Sequence, residues 1–139
     1  MPIVLLALIL SLTTAEMAAA QSLSDYRCRI ERVQAAPDLP GPSKEFLEST
    51  YLGKEFTVDR RSGITVGAVK NNMVVAPIVL DLGDKAGAYK VVALMPREKG
   101  GGASSNVYTL VVNEFESGQS KPFAYMHNAT VYFGKCVHF

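Results

Sequence analysis

Residues 26–31 read Tyr-Arg-Cys-Arg-Ile-Glu, and apolar and charged side chains alternate along them without interruption. Tyr26, Cys28 and Ile30 share one face of an extended chain, and the charged residues share the other. This period of two residues is typical of a β-strand with one buried face and one solvated face. The stretch also carries the first of the two cysteines, so the partner of Cys28 decides which strands lie together.

The first twenty residues have the composition of a secretory signal peptide. Their apolar run, residues 3–12, is shorter than the about 20 residues that span a bilayer, and small residues precede Gln21. This pattern predicts cleavage after Ala20, with cleavage after Ala15 as the alternative. Because no Lys or Arg precedes the apolar run, an uncleaved anchor helix is a further alternative. We therefore expect a signal peptide over residues 1–20, a single β domain over residues 21–139, and a periplasmic or secreted location with no membrane span after cleavage.

The second cysteine, Cys136, lies in the last strand-like segment. In an exported protein two cysteines predict one disulfide, here Cys28–Cys136. The bond would close a loop of about 109 residues and, in the chain-entropy account, stabilise the fold by roughly 4–5 kcal/mol. A metal site is the alternative, but only His127 and His138 could join the cysteines, and they lack paired ligand spacing. We expect no metal and no cofactor.

Charge excludes some partners. Without residues 1–20 the chain has 14 basic and 12 acidic residues, a net charge of +2, and no run of basic residues is longer than two. A weak, scattered positive charge gives no electrostatic basis for binding nucleic acid or an anionic membrane. A second exported protein is the expected kind of partner.

The rest of the chain predicts a mainly β fold. About seven or eight short strand-like segments are separated by turn residues, and one short helix over residues 43–51 begins at Ser43. This spacing is typical of a small antiparallel β-barrel or sandwich. Pro77 and Pro122 indicate edge strands. Since a disulfide requires its cysteines to be close, the first and last strands should be neighbours, an arrangement that would close a barrel.

Residues 57–67 predict a β-hairpin, and the pattern of apolar residues predicts how its two strands pair. A three-residue loop, residues 61–63, places Val58 opposite Val66 and gathers the apolar side chains on one face. A two-residue loop would place Val58 opposite Thr65 and divide the apolar residues between both faces. The sequence therefore favours the three-residue loop.

This register separates the two arginines of the hairpin. Arg61 is expected to point into solvent at the tip, and Arg60 to lie at the rim of the apolar face. There its guanidinium must reach solvent, pair with an acid or line the mouth of a pocket. Gly63 falls where the turn needs a left-handed residue.

Candidate binding residues lie in two loops and beside one turn. The first loop is the hairpin tip, the second is the glycine-rich segment over residues 96–105, and the turn precedes the last strand. For each candidate an ordinary structural role is the alternative: a rim ion pair, a solvated turn, a flexible connection or a core aromatic. The candidates are Arg60, Arg61, Arg97, Lys99, Tyr125 and His127.

No catalytic arrangement is visible in the sequence. No serine lies in a G-x-S-x-G context, and Asp81 and Asp84 are expected to be solvated turn carboxylates. Neither Gly53-Lys54 nor Gly134-Lys135 has the spacing of a phosphate-binding loop. Asn128-Ala-Thr130 fits a glycosylation acceptor. The sequence thus predicts no catalytic residue and no enzyme.

In size, export signal, single disulfide and β content the chain resembles small periplasmic inhibitors of c-type lysozyme. That resemblance implies a small barrel that inserts a loop into a partner. The Ser-Gly motif of the inhibitors continues with an aromatic residue, whereas Ser62-Gly63 precedes Ile64 here, so we assign no family. The expected function is a non-enzymatic binding or interaction module acting through its hairpin loops. A carrier of an apolar or anionic ligand inside the barrel is the alternative, and a hydrolase is the third.

Overall fold

The computed structural model describes residues 23–38, 41–72, 75–99 and 104–139. The predicted signal peptide and the glycine run at residues 100–102 lie outside these ranges. The described residues form a helix and eight strands: β1 (Tyr26–Ala35), α1 (Lys44–Tyr51), β2 (Glu55–Val58), β3 (Thr65–Gly67), β4 (Ile78–Leu82), β5 (Tyr89–Met95), β6 (Asn106–Val112), β7 (Lys121–His127) and β8 (Thr130–His138).

All eight strands join one antiparallel sheet in the order β3-β2-β1-β8-β7-β6-β5-β4, which curls into a half-barrel. The prediction of a mainly β fold with one short helix is therefore confirmed. The first and last strands are neighbours, as expected, but they lie in the middle of the sheet. The prediction that their pairing closes a barrel is wrong because the β2–β3 hairpin extends the sheet beyond β1, which leaves β3 and β4 as the edges.

The Cys28–Cys136 disulfide is present. The two cysteines are partners in the β1–β8 ladder, and both are fully buried. The alternating pattern of residues 26–31 continues into the fold, since Tyr26, Cys28 and Ile30 face the core while Arg27 and Arg29 are exposed. A disulfide between the first and last strands is consistent with folding in an oxidising extracellular or periplasmic compartment.

The sheet has two ends, at which its strands begin or terminate, and we name each end by the part of the chain that lies there. At the terminal end β1 begins and β8 ends, with Tyr26 opposite His138. At the helix end β1 terminates and β8 begins, with Ala35 opposite Thr130. The β2–β3, β4–β5 and β6–β7 turns lie at the terminal end. The β7–β8 turn, the β5–β6 loop and the segment between β1 and α1 lie at the helix end.

Aromatic side chains fill the concave face of the sheet. Tyr26, Phe56, Tyr89 and Tyr125 are all fully buried. Their rings contact one another or neighbouring aromatic rings at centroid distances of 5–6 Å, for example 5.2 Å between Tyr26 and Tyr89. Among the described residues the interior is therefore occupied by side chains, and the open spaces lie near the two ends.

Helix α1 follows the predicted pattern. The Ser43 hydroxyl caps it by accepting a hydrogen bond from the Phe46 backbone N–H, at 3.2 Å. Leu47 is buried, and the half-buried Tyr51 places its ring 4.9 Å from that of Tyr132. The helix thus covers the helix end of β1 and β8. The described residues contain no helix of the length and apolarity that a membrane crossing would require.

The two strand prolines differ. Pro77 precedes β4, which is an edge strand as predicted. Pro122 lies in β7, between β6 and β8, so the prediction of an edge strand there is wrong. Pro122 is the second residue of β7, close to the strand start where a missing N–H is tolerated.

Candidate functional site

The β2–β3 hairpin has the register that the apolar pattern disfavoured. Val58 lies opposite Thr65, and Thr57 lies opposite Val66. Thr65 is fully buried while the Val66 side chain is 58% exposed. The sequence prediction, which placed Val66 on the buried face, is therefore wrong by one residue.

Turn chemistry outweighed the apolar pattern. The Asp59 carboxylate accepts hydrogen bonds from the backbone N–H groups of Arg61 and Ser62, at 2.9 and 3.0 Å, and these bonds lower the pKa of Asp59. Asp59 then pairs with Ile64, so the loop has one residue more than predicted. Gly63 has a positive φ of 75°, as predicted. A Cβ at Gly63 would lie 2.8 Å from the Val91 side chain, so the loop packs tightly against β5.

Arg60 is only 7% exposed and joins the two edges of the sheet. Its guanidinium donates to the Leu82 carbonyl from Nε at 3.0 Å and from Nη2 at 2.7 Å. Nη2 also donates to the Gly83 carbonyl at 2.9 Å. The guanidinium carbon lies 5.1 Å from the centre of the Tyr26 ring. Arg60 therefore links the hairpin to β4 across the open side of the half-barrel. Most of its guanidinium N–H groups donate to backbone carbonyls and stabilise the fold.

The other basic candidates are solvated and lie at different ends. Arg61 is exposed at the hairpin tip, whereas Arg97 and Lys99 are exposed in the β5–β6 loop. The hairpin tip is at the terminal end and the loop at the helix end, and strands of seven residues span roughly 20 Å. The described residues of the two candidate loops therefore lie at opposite ends of the sheet.

Tyr125 and His127 fall in a pocket at the helix end, which we call the aromatic pocket. Its volume is about 280 Å³. Five of its lining side chains are aromatic, and residues 67–70, at the end of β3 and just after it, complete its wall. The aromatic residues are Tyr51, Tyr108, Tyr125, His127 and Tyr132. A second depression of about 240 Å³ shares three of them, Tyr51, His127 and Tyr132, and lies beside α1.

The rings of the aromatic pocket hold one another in place. Tyr108 stacks on His127 at a centroid distance of 4.6 Å and an interplanar angle of 20°. Tyr125 and Tyr132 meet edge to face at 5.9 Å. The Tyr125 hydroxyl donates to the Lys70 carbonyl at 3.1 Å, which ties the wall of residues 67–70 to β7. The pocket is therefore preformed and does not require rearrangement of the sheet.

Hydrogen bonds determine which nitrogen of His127 carries the proton. Nε2 of His127 lies 3.1 Å from the side-chain oxygen of Asn106, which also accepts from the Asn128 amide at 2.7 Å. Because that oxygen is an acceptor, Nε2 is the protonated nitrogen and Nδ1 is an acceptor. Burial lowers the pKa of His127, so the ring is neutral at pH 7.

Burial also keeps the phenols of the pocket protonated. It raises the pKa of Tyr108 and Tyr125 above the ordinary value of 10.0. The pKa of Tyr132 is raised by burial and then by the neighbouring Tyr51. At neutral pH the pocket presents uncharged rings with polar edges, and among the described residues Lys70 is the one charged residue that lines it.

A second open site lies at the terminal end, which we call the terminal cleft. Its volume is about 750 Å³. It contains Ser24, Glu114 and His138, which contact one another, with Lys85, Lys121 and Arg60 around them. Sequence reasoning noted His138 only as a possible metal ligand and did not single out Ser24 or Glu114, because no spacing in the sequence relates three residues from separate segments.

No family model, no curated protein and no solved structure matches the chain. Within residues 23–38, 41–72, 75–99 and 104–139, no three His, Cys, Asp or Glu side chains are grouped as metal ligands would be. The functional assignment therefore depends on the geometry of the two sites alone.

Proposed function

We propose that the protein is an exported binding module that holds a single sugar ring, displayed on a glycan, in the aromatic pocket. The observation that carries this proposal is the wall of four tyrosines and one histidine around a preformed space of about 280 Å³. Ligand sites are typically concave and aromatic with a few polar groups that fix orientation. Of the residues predicted to bind, Tyr125 and His127 lie in the pocket wall.

The chemistry of the wall favours a sugar. Aromatic rings carry negative charge on their faces, so they attract the polarised C–H groups of a sugar ring. Phenol hydroxyls and the Nδ1 acceptor of His127 can exchange hydrogen bonds with sugar hydroxyls. The volume is near the lower limit of small-molecule pockets, roughly 300–1,000 Å³, which suits one ring.

The charge around the pocket selects against a cation. Lys70 lines the pocket, and the exposed Arg97 and Lys99 lie in a loop at the same end of the sheet. An aromatic wall alone could also hold a quaternary ammonium group, but these positive charges would repel it. We therefore propose a neutral or acidic sugar, with the acidic form favoured at low ionic strength because salt screens exposed charges.

A ligand in the barrel interior has less support. That space is occupied by buried side chains, among them Tyr26, Phe56, Tyr89 and Leu110. The hairpin loop is a weaker binding element than the sequence suggested, because the guanidinium of Arg60 is engaged with backbone carbonyls. Both observations favour the aromatic pocket at the helix end as the binding site.

The test is a titration of the ¹⁵N-labelled protein with N-acetylglucosamine and, separately, with glucuronate. Binding should shift the amide resonances of Gly67, Val69 and Asn128, with the larger affinity for glucuronate at low salt. Tyr51→Ala should weaken binding by about fivefold, the equivalent of about 1 kcal/mol for one aromatic contact. Phe115→Ala, which alters an exposed aromatic outside the pocket, is the matched control and should bind as the unaltered protein does. If neither sugar moves these resonances at tens of millimolar, the proposal is wrong.

A further inference from the structure

Ser24, His138 and Glu114 form a hydrogen-bonded chain in the terminal cleft. Ser24 Oγ lies 2.9 Å from His138 Nδ1. His138 Nε2 lies 3.0 Å from Glu114 Oε1 and 3.3 Å from Oε2. The three residues come from the segment before β1, the end of β8 and the β6–β7 turn. The fold thus brings a hydroxyl, an imidazole and a carboxylate together in that order.

The hydrogen bonds place the protons in one way. An ionised carboxylate can only accept, so the neutral His138 ring carries its proton on Nε2 and donates it to Glu114. Nδ1 is then unprotonated and accepts a hydrogen bond from the Ser24 hydroxyl. The imidazole is therefore arranged to remove the hydroxyl proton, as a general base does for a serine nucleophile.

Buried neighbours fix the positions of His138 and Glu114. The ring of His138 lies 5.0 Å from that of Tyr26, its partner across the β1–β8 ladder. The Glu114 side chain is only 9% exposed. Burial and the nearby Glu114 carboxylate raise the pKa of Tyr26, so its hydroxyl stays protonated. A buried carboxylate that orients a histidine is the arrangement that stabilises an imidazolium formed during catalysis.

We infer that Ser24 is a nucleophile that hydrolyses carboxylic esters bearing a negative charge. Lys85, Lys121 and Arg60 line the same cleft and would attract an anionic substrate. Lys121 Nζ donates to the backbone carbonyl of Glu114 at 3.0 Å and to that of Glu116. This leaves one of its three protons free to stabilise a developing oxyanion. The inference departs from the sequence-based expectation of no enzyme and is independent of the aromatic pocket.

The reaction balances within the cleft. Ser24 Oγ bonds to the ester carbonyl carbon while its proton passes to His138 Nδ1. When the tetrahedral intermediate collapses, the bond to the leaving alcohol breaks and the alcohol takes that proton. A water molecule then adds to the acyl carbon and gives its proton to His138. The bond to Ser24 Oγ breaks, the serine regains the proton, and a carboxylic acid is released.

The first experiment treats the disulfide-bonded protein with a fluorophosphonate probe and locates the adduct by peptide mass spectrometry. We expect Ser24 to be labelled and Ser62, a serine of the hairpin at the same end, to remain unlabelled. His138→Gln should lower the labelling rate by about 100-fold, the lower range for loss of a general base. A correctly folded protein without an adduct on Ser24, or labelling that does not depend on His138, would overturn the inference.

A second experiment tests Glu114 as a positioning residue. A low-field proton resonance from His138 Nε2–H should be visible in the unaltered protein and absent in Glu114→Gln, while Glu114→Asp should recover part of the labelling rate. Hydrolysis of para-nitrophenyl hemisuccinate should exceed that of the neutral para-nitrophenyl acetate, and Lys121→Met should remove the preference. Glu45→Gln, at an exposed position of α1 outside both sites, should leave all these rates unchanged. Equal rates for the two esters would refute the anionic substrate class.

Discussion

The two ends of the half-barrel are held across its open side by different chemistry. At the terminal end the Arg60 guanidinium donates to the Leu82 and Gly83 carbonyls, so a charge joins the hairpin to β4. At the helix end the Tyr125 hydroxyl donates to the Lys70 carbonyl and aromatic rings surround an open space. Both ends keep an open site, but the terminal cleft is lined by charged side chains, whereas the pocket at the helix end is lined by aromatic rings.

The disulfide should have the largest effect because both ends depend on the β1–β8 pair. Replacing Cys28 and Cys136 with alanine should lower the free energy of unfolding by about 4–5 kcal/mol, since the unfolded chain regains the entropy of a long loop. Urea unfolding followed by circular dichroism would measure the loss. Reduction of the unaltered protein is the control and should give a similar decrease, and a loss confined to one end would contradict a shared role.

The Arg60 link is the next largest contribution, and the adjacent arginine provides its control. Arg60→Met should lower the free energy of unfolding by about 3 kcal/mol, because the carbonyls of Leu82 and Gly83 lose a charged donor. Arg61→Met, at the exposed tip, should change it by at most about 0.5 kcal/mol. Denaturant unfolding of both variants measures the difference. Equal losses would mean that the link across the open side contributes little.

The free edge of β3 gives a third test. Buried Asn71 accepts from the Thr65 backbone N–H at 2.9 Å and donates to the Gly63 carbonyl at 2.8 Å, so its amide takes the place of a neighbouring strand. Asn71→Ala should cost about 2 kcal/mol because both backbone groups lose their partner. The exposed Asn72 is the control and should tolerate alanine. Faster amide exchange of Thr65 in Asn71→Ala alone would confirm the mechanism, and unchanged exchange would refute it.

These contacts show what the sequence could and could not predict. Strand alternation, the Ser43 cap and the two cysteines act locally or as a single pair, so the helix, the disulfide and the β class were predictable. The hairpin register was not, because the Asp59 cap, the packing of Gly63 on Val91 and the partner Asn71 outweigh the exposure of Val66. The position of Arg60 at the rim was predictable, but its partners were not, since Leu82 and Gly83 reach it only after the sheet curls.

The candidate sites divide in the same way. Tyr125 and His127 were candidates from the sequence because aromatic residues cluster before the last strand. Tyr51 and Tyr108 were missed as pocket residues because they come from α1 and β6, which only the folded sheet brings together. The chain of Ser24, Glu114 and His138 joins three separate segments and has no local signal at all.

One buried tyrosine at each end allows the two ends to be compared by the pH dependence of stability. This is the smallest expected effect on the free energy of unfolding. Tyr26 lies at the terminal end and Tyr125 in the aromatic pocket, and burial raises the pKa of each above the ordinary 10.0 of an unfolded chain. The unfolded chain therefore loses these protons first. The stabilisation is complete below pH 10 and is lost as pH rises toward the folded pKa values.

Each buried tyrosine should contribute a slope of up to about 1.4 kcal/mol per pH unit above pH 10. Tyr26→Phe and Tyr125→Phe should each make the stability curve shallower by that amount, and unfolding at a series of alkaline pH values would measure it. At Tyr26 the nearby Glu114 carboxylate adds to the effect of burial on the pKa, whereas at Tyr125 the nearby Thr65 hydroxyl opposes it. Tyr26→Phe should therefore flatten the curve up to a higher pH than Tyr125→Phe does. The reverse order would mean that the Glu114 carboxylate does not raise the pKa of Tyr26.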